Sequence, residues 1–103
     1  MQLIIDIEAD KLENPTKIWC VVCKDIATGE YYVFRNLHED KTEVEKFKTL
    51  VKRCTRLVGH NILGYDYPVM CNLINFHNCI SLPILLIPLL FLSYLTIRAR
   101  DIQ

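Results

Sequence analysis

The sequence predicts an α/β domain with a mixed sheet, its elements running in the order β-β-β-α-β-α. Three observations carry that prediction. Short β-branched and aromatic runs, parted by turn residues, fill the first third of the chain. Apolar residues then recur at helical spacing from Val44 to Cys54. Finally, a short apolar strand leads into a segment with Pro68 placed for the first turn of a helix. With 103 residues the chain is one small domain with a modest core.

Residues 2–7 read as a buried strand, Leu3-Ile-Ile-Asp-Ile7 being almost wholly apolar. Asp10 to Thr16 is polar, and Asn14-Pro15 is a turn signal. Lys17–Lys24 supplies a second strand, Asp25–Gly29 a turn, and Glu30–Arg35 a third, so the last two form an antiparallel hairpin. Asp40-Lys-Thr-Glu opens a helix with acids in its first turn, where the helix dipole favours them. Val44, Phe47, Leu50, Val51 and Cys54 form its apolar stripe, with lysines opposite. Leu57-Val58 is a fourth strand, and Asp66–Asn75 a second helix.

Composition narrows the function classes. Acidic and basic residues balance at 12 each, so no overall field marks the chain as a nucleic-acid or membrane binder. A local basic cluster, Lys46, Lys48, Lys52, Arg53 and Arg56, is most simply the wet face of the first helix; a phosphate-contacting role is the alternative. Five cysteines, an odd number at irregular spacing and without a preceding signal peptide, suit free thiols in a reducing, cytoplasmic compartment. Cys20-x-x-Cys23 has zinc-knuckle spacing, but it lies mid-strand without a matching second pair, so buried thiols are the reading preferred. Nothing resembles a Ser/His or Cys/His nucleophile pair.

The first strand carries the chemistry. Side chains alternate across a strand, so Asp6 and Glu8 project from one face. Two acids placed together repel unless a cation or a shared proton relieves them. They are read as half of a divalent-metal site. The other half is sought in Gly59-His-Asn-Ile-Leu-Gly-Tyr-Asp66, which puts a turn, an aromatic and a carboxylate between a strand and a helix. Alone, Asp66 reads as a helix cap; paired with Asp-x-Glu, it reads as a third metal ligand. His60 adjoins this stretch and either faces the site or is structural, while His38 and His77 have no evident partners. Trp19, Tyr31, Tyr32 and Phe34 suggest base stacking, although strand aromatics are more often core or sheet surface.

Asp6-Ile-Glu8 followed by Asn61-Ile-Leu-Gly-Tyr65-Asp66 resembles the first two motifs of the DEDD 3′–5′ exonucleases, in particular the proofreading domain of family A, phage-type DNA polymerases. The resemblance covers residues 2–75 and implies a partial ribonuclease H-like fold. It implies that Asp6 bridges two metals, that Glu8 binds one and orients the attacking water, and that Asp66 holds the second. It gives Asn61 and Tyr65 the task of positioning Asp66 and the terminal nucleotide. The implied cofactor is Mg²⁺ or Mn²⁺, the implied partner a single-stranded DNA 3′ end, and a polymerase domain downstream is a further expectation. In-line phosphodiester hydrolysis needs charge stabilisation on the attacking and leaving oxygens, which two ions about 3.5–4 Å apart supply. Other classes remain open: a DEDD nuclease acting on RNA, an inactive nucleic-acid-binding module, or a small membrane-anchored protein.

The family's third motif, Tyr-x-x-x-Asp or His-x-x-x-x-Asp, has no counterpart after Asp66. Asp101 is the only later carboxylate, and neither Tyr nor His precedes it at that spacing. Activity in isolation is therefore not expected. Residues 1–78 are read as the N-terminal part of the exonuclease domain and 79–103 as an apolar tail. Within the tail, Ile80–Ile97 contains no charge and reaches the lower edge of transmembrane length, roughly 18 residues, with Arg98 and Arg100 as flanks. Three readings stand for it: an out-of-frame segment, a membrane segment, or a buried helix. The first is preferred because codons permitted for Leu86–Phe91, shifted in frame, can read Asp-Thr-Leu-Val-Ile, a segment phage-type relatives carry.

Overall fold

The computed structural model describes residues 1–76 and the short strand Ile84–Leu86. Its elements are β1 (Gln2–Ala9), β2 (Ile18–Asp25), β3 (Tyr31–Arg35), α1 (Lys41–Lys52), β4 (Arg56–Gly59), a π-helical turn (Ile62–Asp66), α2 (Tyr67–Ile74) and β5 (Ile84–Leu86). The strands form one sheet in the order β3-β2-β1-β4-β5. β1 pairs antiparallel with β2 and parallel with β4, so the sheet is mixed and β1 is central. This mixed α/β arrangement is compatible with the partial ribonuclease H-like fold expected from the sequence. The expected order β-β-β-α-β-α is observed, with two additions, the π-helical turn and β5.

Local chemistry explains the elements. Asp25 ends β2 by accepting the N–H groups of Ala27 (2.8 Å) and Thr28 (3.4 Å), and Gly29 takes φ +76° to turn the chain into β3. Asp40 caps α1, its carboxylate accepting from the Thr42 and Glu43 N–H groups at 3.0 and 3.2 Å. Asn75 ends α2 in the left-handed region, φ +55°.

The two faces of the sheet differ. Leu3, Ile5 and Ile7 of β1, with Val21, Cys23 and Phe34, pack against Phe47, Leu50 and Val51 of α1 and Val69, Met70 and Ile74 of α2. The opposite face carries a small cluster of Ile4, Val22 and Val58, with Val33 beside it. Phe47 is the hub of the first cluster: its ring lies 5.5 Å from that of Phe34 and 5.4 Å from that of Phe76.

The sequence-based readings of Ile80–Ile97 fall outside the described residues, except that Ile84–Leu86 is a strand rather than part of a helix, pairing parallel with Leu57–Gly59. His77, Cys79 and Asp101 are also outside. Among the described residues no helix is long and apolar enough to cross a membrane.

Removing the hub tests the packing. Phe47→Ala is expected to cost about 3–5 kcal/mol, as for other fully buried aromatics. Urea unfolding measures it, and a loss below about 1 kcal/mol would contradict the packing described.

Candidate functional site

Asp6 and Glu8 occupy the outer half of β1, past Ile4, the last residue paired with β4. They alternate with Ile5 and Ile7, which are buried under the helices, and both acids are half-buried on the other side. Strand period alone places them on one face. The ladder to β2 slips one residue between Glu8 and Ala9, with Trp19 skipped on β2. Such a bulge bends the strand where the acids end.

β4 ends at Gly59. A Cβ there would lie 3.1 Å from Ile62 Cβ and 3.3 Å from the Ile5 carbonyl oxygen, so a larger residue would require Ile62 or β1 to shift by a few tenths of an ångström. Asn61 then turns the chain in the left-handed region (φ +49°, ψ +33°), its carbonyl accepting from the N–H groups of Gly64 (3.2 Å) and Tyr65 (2.9 Å). The Tyr67 N–H reaches back five residues to the Ile62 carbonyl and closes the π-helical turn. Pro68 has no N–H to return to the preceding turn, so α2 loses no hydrogen bond by beginning here. Each residue inserted into a helical turn rotates the downstream side chains by about 100°. Ile62, fully buried, pins the turn to the core.

Asp66 ends that turn. Its backbone is already helical (φ −57°, ψ −49°), and its side chain makes no capping hydrogen bond. The cap reading of Asp66 therefore does not hold. The residue is only 5% exposed, unusual for a carboxylate.

Asp6, Glu8 and Asp66 line one cleft of about 370 Å³, together with His60, Asn61 and Tyr65. The two sequence stretches thus meet, and every residue singled out for the site is on the cleft wall. Lys11 and Leu12 line it too and were not singled out, Leu12 being 83% exposed. Their loop is latched by Asp10, whose carboxylate accepts from the Thr16 hydroxyl (2.6 Å) and from the Thr16 and Lys17 N–H groups (2.9 and 3.1 Å). The Tyr65 hydroxyl donates to the Lys11 carbonyl at 2.9 Å and ties the loop to the π-helical turn. A sequence signal was present in Asp10 and Thr16, a carboxylate and a hydroxyl flanking the Asn14-Pro15 turn.

The cleft is electrically negative. Burial raises the Tyr65 hydroxyl above its ordinary pKa, and the charges of Asp66, Asp10 and Glu8 add to the rise. Cys20, directly opposite Glu8 on β2, is raised by burial and then by Glu8, with Asp6 contributing and Arg35 opposing. Groups on two separate elements thus both sense Glu8. Hard carboxylate oxygens are the donors that Mg²⁺ and Mn²⁺ favour. Among the described residues no three His, Cys, Asp or Glu side chains form a single metal-holding group.

The remaining singled-out residues lie elsewhere. Cys20 and Cys23 are free thiols three residues apart on a strand, hence on opposite faces. The Trp19 ring stands edge-on to that of His38 at 4.8 Å, with Lys17 over it at 5.6 Å. Tyr31 is exposed beneath Lys24, and Phe34 is core. Lys46, Lys52, Arg53 and Arg56 are exposed, Lys48 is half-buried, and none lines the cleft.

No family model and no curated protein matches the chain. Chains of known structure do, 28 of them. One is the family B DNA polymerase from the hyperthermophilic archaeon Pyrobaculum calidifontis, with a TM-score of 0.54 and 20% identity over 80% of this chain. The likeness is one of fold. The chain spans 11% of the length of that polymerase.

The latch makes a pH prediction. Asp10 is lowered to about 2, chiefly by the Thr16 hydroxyl, from an ordinary 3.8. A depressed carboxylate contributes above its unfolded pKa and is lost as pH falls through its folded one. The loop should therefore be fully latched above pH 3.8 and released near pH 2. A carboxyl ¹³C titration should show that midpoint, and Thr16→Val should return it toward 3.8. A wild-type midpoint already at 3.8 would contradict the latch.

Proposed function

We propose that the cleft is part of a two-metal 3′–5′ exonuclease centre of the DEDD type, acting on a single-stranded DNA 3′ end. The observation that carries this reading is Asp66, a buried carboxylate that does not cap its helix and lines one cleft with Asp6 and Glu8. The ribonuclease H-like fold and the likeness to a DNA polymerase support nucleic acid as the substrate and DNA over RNA. The assignment to family A rests on the Asp-x-Glu and Asn-x-x-x-Tyr-Asp motifs.

In this reading Asp6, Glu8 and Asp66 hold Mg²⁺ or Mn²⁺. When bound, the ions supply a nucleophile at neutral pH and charge stabilisation for the phosphodiester oxygens. The chain's own residues do the rest. Glu8, nearer the open end of β1, is placed to accept a hydrogen bond from water. Tyr65, its hydroxyl already committed to the Lys11 carbonyl, presents its ring as a wall for the terminal nucleotide. Asn61 lies exposed at the cleft mouth and offers an amide to the substrate. The family's third motif, which carries the general base, has no counterpart among the residues after Asp66, so the reading proposed for these residues is metal and strand binding.

Mn²⁺ titration calorimetry tests this reading. Wild type should bind, and Asp6→Asn or Asp66→Asn should weaken binding by about tenfold or more. Asp40→Asn, at the α1 cap, should leave it unchanged. Mn²⁺ binding that survives Asp6→Asn intact would refute the centre.

A further inference from the structure

The cleft contains one lysine among its acids. Lys11 is three residues beyond Glu8, and its exposed side chain lines the cleft with Asp6, Glu8 and Asp66. Its backbone is held at the carbonyl, and the residue before it is locked in place. The Tyr65 hydroxyl binds its carbonyl at 2.9 Å, and Asp10, its immediate neighbour, is locked to Thr16 and Lys17 by three hydrogen bonds of 2.6–3.1 Å. The ion pairs among the described residues, His38–Glu39 and Glu43–Lys46, do not involve it. A lysine serving only solubility has no need of a fixed backbone at an acidic cleft.

Acids that hold cations also repel the phosphates of a nucleic acid. A cation at the rim counters that repulsion and orients the strand, because ammonium–phosphate contacts set register without reading sequence. We propose that Lys11 is a substrate-phosphate contact, presented by the latched loop toward a strand whose 3′ end lies among Asp6, Glu8 and Asp66. This rests on the nuclease reading of the cleft. The competing role is internal, with Lys11 serving as a countercharge for the acids in place of metal. The two roles predict opposite results.

The experiment uses the full chain, a fluorescein-labelled single-stranded oligonucleotide and Mn²⁺, with anisotropy read across a salt series. Neutralising one single-strand phosphate contact accounts for about 0.7 in the slope of log K against log salt. Lys11→Ala should make the slope shallower by about that amount, and Lys11→Arg should restore it. Mn²⁺ affinity and the urea midpoint should not move in either variant. An unchanged slope in Lys11→Ala overturns the assignment, and an unchanged slope with tighter Mn²⁺ binding establishes the countercharge role instead. A wild-type chain that binds Mn²⁺ but no oligonucleotide overturns the phosphate contact alone. One that does not bind Mn²⁺ overturns the reading of the cleft and the contact with it.

Discussion

The arrangement depends on how far β4 runs alongside β1. The parallel ladder joins Gln2, Leu3 and Ile4 to Arg56, Leu57 and Val58, then stops. Gly59 lies so close to the Ile5 carbonyl that a side chain would have to displace backbone or Ile62. Because β4 ends there, the outer half of β1 keeps a neighbour on the β2 side and lies open where Asp6 and Glu8 project. The next residues, His60 to Asp66, fold into the space beside it.

The walls of the cleft are held in different ways. Asp6 and Glu8 ride on the central strand, whose neighbouring positions Ile5 and Ile7 are locked in the core. Asp66 stands on a turn pinned by Ile62 and continued by α2, whose Val69 and Met70 bury against the same core. Elements that define the hydrophobic centre thus also set the acid spacing, and rigid support of this kind is what a binding constellation requires. The third wall, the Lys11–Thr16 loop, has no core of its own. It is ordered by polar contacts from Asp10 and Tyr65. Such contacts are individually modest but directional.

Much of this was legible in the sequence because it arises from short-range periods. The two-residue repeat put Asp6 and Glu8 on one face, and the 3.6-residue repeat gave α1 its buried Phe47, Leu50 and Val51. Asp40 announced the helix start by its residue type. The candidate residues were singled out through motif spacing, and the structure brings Asp6, Glu8, Asn61, Tyr65 and Asp66 to one cleft. Other features were not legible. The π-helical turn arises from a choice between four- and five-residue hydrogen bonds, decided by left-handed Asn61, donor-less Pro68 and the burial of Ile62. The alternative of Asp66 as a cap is set aside for the same reason, since that turn makes its backbone helical one residue early. The role of Lys11 and Leu12 depends on a tyrosine 54 residues away in sequence, a separation no local pattern encodes. β5 was missed because an apolar run without polar alternation fits a strand or a buried helix equally.

The central claim is that strand and turn acids act together on a divalent cation. Paramagnetic broadening of backbone amide signals by substoichiometric Mn²⁺ tests it directly. The account predicts loss of signal around Asp6–Glu8 and Tyr65–Asp66 together, at the same metal ratio, with Asp40 and Glu30 unaffected. Broadening at Asp6–Glu8 without Tyr65–Asp66, or centred on the acids of α1, would contradict it.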